Sequence, residues 1–242
     1  LPKYHGRHTR VYVDGYDISG YTNSLNVSTE ADTVDVSSFS DTKKNYVVGL
    51  SDSQVEHDGF FDDTATAGGH AVLSQRLGSA VHFMASIGTY QGAFGHAGSA
   101  ELQQMYSVTS GITDAVKHKS KLSNFGTQGV DQILLVNSKQ QFSGTGAALD
   151  TGTASNAGGR AYMQNFGSWN AATPANASGS VRLIGGTDAA FTASGTVLLA
   201  DFGAVTTTAS AQGIAFSGTV PRYVKVDHYS GTPQTAVGFD RD

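Results

Sequence analysis

The chain has 242 residues, 30 glycines, no cysteine and a formal net charge of −5, and only 14% of its residues are charged. The lack of cysteine excludes disulfides and thiolate metal sites. The mild negative charge gives no general attraction to nucleic acid or anionic membrane, and no apolar run approaches the ~20 residues of a membrane-spanning helix.

Low charge with abundant Gly, Ser and Thr fits a β-rich chain whose surface is covered by neighbours; a secreted β-sandwich is the plainer competitor. The length suits one large β domain or two small ones. The first ten residues are polar and basic and lack the apolar core of a signal peptide, so synthesis in the cytoplasm is expected.

The first clear period-2 segment is 10–14. Val11 and Val13 point one way, and Arg10, Tyr12 and Asp14 the other. Asp14-Gly15 is a turn signal. Strands are expected at 24–28, with Leu25 and Val27 on one face, and at 33–36, with Val34 and Val36. Residues 39–50 are polar in the centre and aromatic or apolar at the edges, which reads as a long loop or an extended hairpin. A strand at 53–61 follows, with a bend at Gly59.

Residues 68–78 are the best helix candidate, with Leu73 and Leu77 at helical spacing and glycines at both ends. Strands are expected at 80–86 and 89–94, then a glycine-rich stretch at 94–99. The 101–124 region is β-prone, with Gly111 as a candidate bulge. The run ILLV within 132–137 reads as a strand buried on both faces.

From Gly144 the composition turns small and flexible, as a linker or a wide loop within one domain. Strands then recur at 160–164, 180–184, 197–201, 213–217, 222–228 and 236–240. In 222–228, Tyr223, Lys225 and Asp227 alternate with Val224 and Val226. The expected division is a first β domain over 1–145, carrying the long loop, and a sandwich half or second β module over 146–242. The two belong either to one domain or to two.

No constellation demands catalysis. There are eight histidines. His57 and Asp58 with Asp62 and Asp63 are the densest set of metal-ligand types, weighed against a solvated strand end. Asp150, Asp188, Asp201 and Asp227 lie in strand and turn contexts, and nothing in their spacing requires a glycosidase pair. The GxSxG elbow, the P-loop and the dinucleotide fingerprint are absent. Sequons occur at Asn26 and Asn176. Trp169 beside Phe166 would suit stacking on a sugar ring, against the plainer reading of a packed aromatic.

Several segments together carry a family resemblance. These are VDGYDIS (13–19), YTNSLNVS (21–28), DTVDVSSFSD (32–41), KKNYVVGL (43–50) and SDSQVEHDGFF (51–61), and later SVRLIGG, VPRYVKVDH and VGFDR. The chain resembles the tail tube (major tail) proteins of long-tailed, non-contractile bacteriophages. The resemblance implies a mainly-β fold, a β-sandwich or β-barrel with one short flanking α-helix. It also implies a structural virion protein without enzymatic activity or cofactor.

By the same resemblance the subunit forms hexameric rings, or trimeric rings of pseudo-hexameric symmetry. These stack into a tube that conducts DNA during ejection without binding it specifically. Further partners would be the tape measure and terminator proteins, with no membrane involved, in a virion tail assembled in the host cytoplasm. The long loop, with Phe39, Lys43, Lys44, Tyr46, Val48 and Leu50, would reach a neighbouring subunit or ring and become ordered there. Glu30, Asp32, Asp35, Asp52 and Glu56 are the candidate lumen-facing acids. A capsid decoration or head-fibre protein, and a carbohydrate-binding β-sandwich, are the alternatives.

Overall fold

Sixteen strands and one short α-helix make up the structure, a computed structural model that describes residues 6–65, 67–124, 129–141, 144–155, 157–167, 178–192, 196–206, 208–230 and 234–240. In chain order the strands begin with β1 (Thr9–Val13), β2 (Tyr16–Asp17), β3 (Thr22–Asp35) and β4 (Tyr46–Phe60). The helix α1 (Gly69–Ser74) precedes β5 (Ala80–Ile87), β6 (Phe94–Thr109), β7 (Lys117–Ser123) and β8 (Asp131–Gln141). Then come β9 (Gly144–Thr145), β10 (Leu149–Asp150), β11 (Gly159–Asn165) and β12 (Ser178–Gly186). The last four are β13 (Val197–Thr206), β14 (Ser210–Phe216), β15 (Tyr223–Ser230) and β16 (Gln234–Phe239).

All pairings are antiparallel and form two sheets. The larger sheet runs β14-β11-β16-β8-β6-β5-β1-β2, and a branch leaves β6 through β7 and β4 to β3. The smaller sheet runs β10-β15-β12-β13, with β9 also on β15. The mainly-β expectation with one lone helix holds.

The core lies in three connected parts. Val136, Ala161, Met163, Val237 and Phe239 of the large sheet pack on Val181, Leu183, Val224 and Val226 of the small one, so the two sheets form a sandwich. Val11, Val13, Phe83 and Ala85 face Val55, Leu122, Ile18 and the helix residues Val72 and Leu73, so the branch of the large sheet curls back over its own face. On the reverse face Tyr12, Met84, Ile133, Leu135, Tyr162 and Phe166 form the third part. β1 is therefore covered on both sides. Tyr12, expected on a polar face, is 1% exposed, and its ring meets Phe166 edge-on at 4.9 Å.

The Asp14-Gly15 turn joins β1 and β2, with φ of 47° and 81°. A Cβ on Gly15 would lie 2.3 Å from the Asn165 carbonyl oxygen, so the close approach of a remote strand, as well as the turn, requires glycine. The expected strands at 24–28 and 33–36 are one strand, β3, with an irregularity between Ala31 and Thr33. Residues 39–50 resolve as an extended hairpin. The connection is 36–45, and the rest belongs to β4.

The helix is shorter than the expected 68–78. It ends at Ser74, and Leu77 lies exposed in the following turn. Arg76 closes this end: its Nη1 donates to the Val72 carbonyl at 2.8 Å, and its Nε pairs with Asp14 at 2.5 Å. The glycine-rich 94–99 stretch opens β6, and the preceding 89–93 segment forms the turn in place of a strand. Small residues suit it because Gly95 passes hard against the Ala85 carbonyl. Gly111 sits in the β6–β7 turn, not at a bulge.

Candidate assembly surface

Many of the most exposed apolar side chains among the described residues lie on a projecting ribbon. β3 and β4 pair from Thr22↔Gly59 out to Asp35↔Tyr46. β4 is joined on its other side to β7 only from Gln54 to Phe60. Ser53 is still buried and the Ser51 carbonyl still accepts from Asn124 Nδ2. Past Ser51 the described hairpin continues as two strands alone, without a further ladder partner on either edge and with its side chains exposed. An isolated two-stranded ribbon is marginal in water at best, and open edges are templates for pairing.

Directly opposite residues share a face. Val34 faces Val47, while Thr33 faces Val48 and Asp35 faces Tyr46 on the reverse side. Apolar groups thus lie exposed on both faces, and Leu50 and Phe39 are 84% and 113% exposed. Phe39 is in the tip with Lys43 and Lys44. Lys44 reaches Asp35 at 3.4 Å and lies 5.9 Å from the Tyr46 ring centre. Hydrogen bonds from Ser37 hold the exposed Asp35 carboxyl below its usual range.

The acidic candidates separate along the ribbon. Glu30 stands opposite Asp52, a like-charge cross-strand pair that weakens the isolated hairpin. Glu56 lies on the same face of β4, two alternations further on, and Asp32 lies at the irregularity beside Gly49. Asp35 sits apart at the tip. A second tip escaped the sequence reading. The β6–β7 turn carries Ile112, 107% exposed, at the end of the sheet away from the β3–β4 tip. A lone apolar residue in a turn-rich stretch has no periodic signal.

The root of the ribbon is packed into the core. His57 is 3% exposed and His118 is 1% exposed, with ring centres 5.1 Å apart. Thr22 Oγ1 donates to the Ile18 carbonyl, so at 2.8 Å it must accept from His57 Nε2. His118 Nδ1 donates to the Phe60 carbonyl at 3.1 Å. Each tautomer is thereby set, and the bare nitrogens, His57 Nδ1 and His118 Nε2, are buried without a partner. Burial, and then the neighbouring His118, push His57 down to about 3. Burial also lowers His118. Gly59, the expected bend, instead continues the β4 ladder. Its Cβ would meet Tyr21 O at 2.4 Å and the His118 ring at 2.7 Å.

This geometry disperses the metal candidate. His57 points into the core, while its neighbour Asp58 faces outward to Lys119 at 3.6 Å, because successive strand residues face opposite ways. Asp62 closes a turn on Thr64. The solvated-end reading of His57 is corrected too, since it is a core residue. Among the carboxylates, Asp150 pairs in a fork with Arg222 and Asp201 with Arg182, both on the exposed face of the small sheet. Trp169 and Asn176 lie outside the described residues.

No family model matches the chain, and no curated protein matches its sequence. Several solved structures overlap it in part. One is a chain of the virion of a native gene transfer agent particle, at 15% identity, covering 53% of this chain and 98% of that one, with a TM-score of 0.43. Another belongs to the six-fold symmetrised baseplate of the anti-feeding prophage, at 8% identity, 54% and 95% coverage and a TM-score of 0.38. A third is the SPP1 Dit protein, described as a paradigm of the hub adsorption apparatus in phages infecting Gram-positive hosts. It shows 12% identity, 96% and 98% coverage and a TM-score of 0.32. Identities and TM-scores this low establish neither fold nor role.

Proposed function

We propose that this chain is a structural subunit of a phage tail that self-associates through the β3–β4 ribbon into stacked rings forming the tail tube. The observation that carries the reading is the unsupported outer half of that ribbon. It exposes Val34, Phe39, Tyr46, Val47, Val48 and Leu50 with open edges on both sides. A monomer gains nothing from such an element, whereas a polymer buries it against the next copy. The resemblance of the 13–61 segments to tail tube proteins points the same way.

In this reading residues 1–145 are the tube domain carrying the arm, and 146–242 are the module that supplies most of the smaller sheet. Rings are hexameric or trimeric with pseudo-hexameric symmetry, and tape measure and terminator proteins are the further tail partners. DNA passes through the lumen without specific binding. Glu30, Asp52 and Glu56, on one hydrophilic face, suit a wall that does not retain phosphate, because each Lys–phosphate contact adds affinity through counterion release.

Negative-stain microscopy of the purified chain tests the reading. Rings or tubes are expected from the native chain. Deleting residues 41–45 should leave the subunit folded but block polymerisation. A native chain that stays monomeric at high concentration overturns the proposal, and trimers that bind preformed capsids without forming tubes would favour a decoration protein.

A further inference from the structure

We propose that the cleft between β3 and the face of β1, β5 and β6 is the receptor for the ribbon tip of a second copy, with Phe39 as the side chain that enters it. This rests on the self-association reading above and adds the receiving site. The cleft measures about 630 Å³. Its floor is Thr9, Ala85, Ile87 and His96, which the strand register brings side by side, and its wall includes Leu25 and Val27 of β3. It is the place where the curled branch of the large sheet fails to close. Leu25 and Val27 pack on the core of Val11 and Phe83 yet stay only partly buried, and Ile87 is 41% exposed. β3 pairs with β4 alone, so the backbone edge beside the cleft is open.

Charge identifies the occupant. Arg7 and Arg10 stand at the cleft, and no carboxylate is among its described lining residues. Asp17, in the adjoining hollow that Arg10 also lines, accepts from Ser19 and keeps its charge, so the rim of Arg7, Arg10 and Asp17 is cationic by a single charge. Residues 30–52 carry five acids, Glu30, Asp32, Asp35, Asp41 and Asp52, against Lys43 and Lys44. The ribbon thus presents an aromatic knob on a net negative arm to a floor where Ala85 and Ile87 lie beside Thr9 and His96, with a cationic rim.

Geometry dictates that the contact is between copies. The cleft flanks the start of β3 and the tip lies beyond its end. From Val27 to Asp35 the extended strand covers about 26 Å, so a tip cannot reach its own cleft. Tip and cleft are different surfaces, and such a head-to-tail contact propagates into a ring or an open stack.

The absence of cysteine makes disulfide trapping the direct test. The Asn26→Cys variant marks the cleft, Ser40→Cys marks the tip, and Thr113→Cys marks the competing β6–β7 turn. Equimolar mixtures are oxidised and resolved without reductant. The expected result is a cross-link between the Asn26→Cys and Ser40→Cys copies. Arg10→Glu should weaken it and Asp41→Lys in the partner copy should restore it, a rescue that misfolding would not produce. Phe39→Ala should weaken association about 10- to 100-fold, the equivalent of burying one aromatic side chain.

Cross-linking of Asn26→Cys to Thr113→Cys instead would overturn the assignment of the occupant. Rings or tubes that form with no trapping at the cleft would overturn the receptor while leaving self-association intact. No association and no cross-link at any position would overturn both.

Discussion

Lowering the pH from 7 to 4.5 should strip stability from the root of the ribbon through His57, and the size of the loss follows from its burial. The side chain is 3% exposed, its Nε2 proton is committed to Thr22, and its bare Nδ1 has no partner. A second proton there would create a charge in the core beside His118. The folded-state value near 3 lies below the ordinary 6.5, so the unfolded chain binds the extra proton first. Stability is fully present above the unfolded value and falls with pH between the two at about 1.4 kcal/mol per unit. At pH 4.5, two units below the unfolded value, the loss is about 2.7 kcal/mol.

Glu101 acts in the opposite sense over the same range, so the native pH profile is flattened and the informative quantity is a difference. Urea unfolding of the native chain and of His57→Gln at pH 7, 5.5 and 4.5 supplies it. The stability advantage of the native chain should shrink by about 2.7 kcal/mol across that span. A difference between the two proteins that does not change with pH would refute the argument.

Three further outcomes are expected. Glu101 is fully buried with both carboxylate oxygens unpartnered; burial, then Asp131 and Asp52, push it up to about 8. Its stabilising protonated form is lost as pH rises from the unfolded range through 8, so Glu101→Gln should gain stability over the native chain on going from pH 5 to pH 8.5 in the same unfolding assay. Asp52→Lys replaces a like-charge neighbour of Glu30 with an opposite one, and thermal melts of the unassembled chain should show a gain of about 0.5 kcal/mol, no more for so exposed a pair. In a structure of the assembled form the channel should be lined by acidic and neutral side chains; a strongly basic channel would count against DNA conduction.

Local chemistry determined much of this protein. Turn residues and period-2 alternation placed the Asp14-Gly15 turn, the 222–228 strand with Val224 and Val226 inward, and the ILLV strand, because each depends on neighbours within a few residues. The exposed, apolar-framed tip around Phe39 was legible for the same reason: nothing in its own sequence supplied a core-facing period.

Only the tertiary structure decided what lies across each strand. β16 enters between β8 and β11, and Asn137 Oδ1 accepts from the Val237 amide 100 residues away. β1 is buried on both faces because the helix α1 and the curled branch cover one side and Phe166 the other. His57 becomes a core imidazole and Asp58 a surface ion pair because β4 has β7 beside it. The cleft of Arg10, Leu25 and His96 exists only where that branch stops short of closing. These features depend on strand pairings between segments far apart in the chain, and periodicity within a segment carries no information about its distant partner.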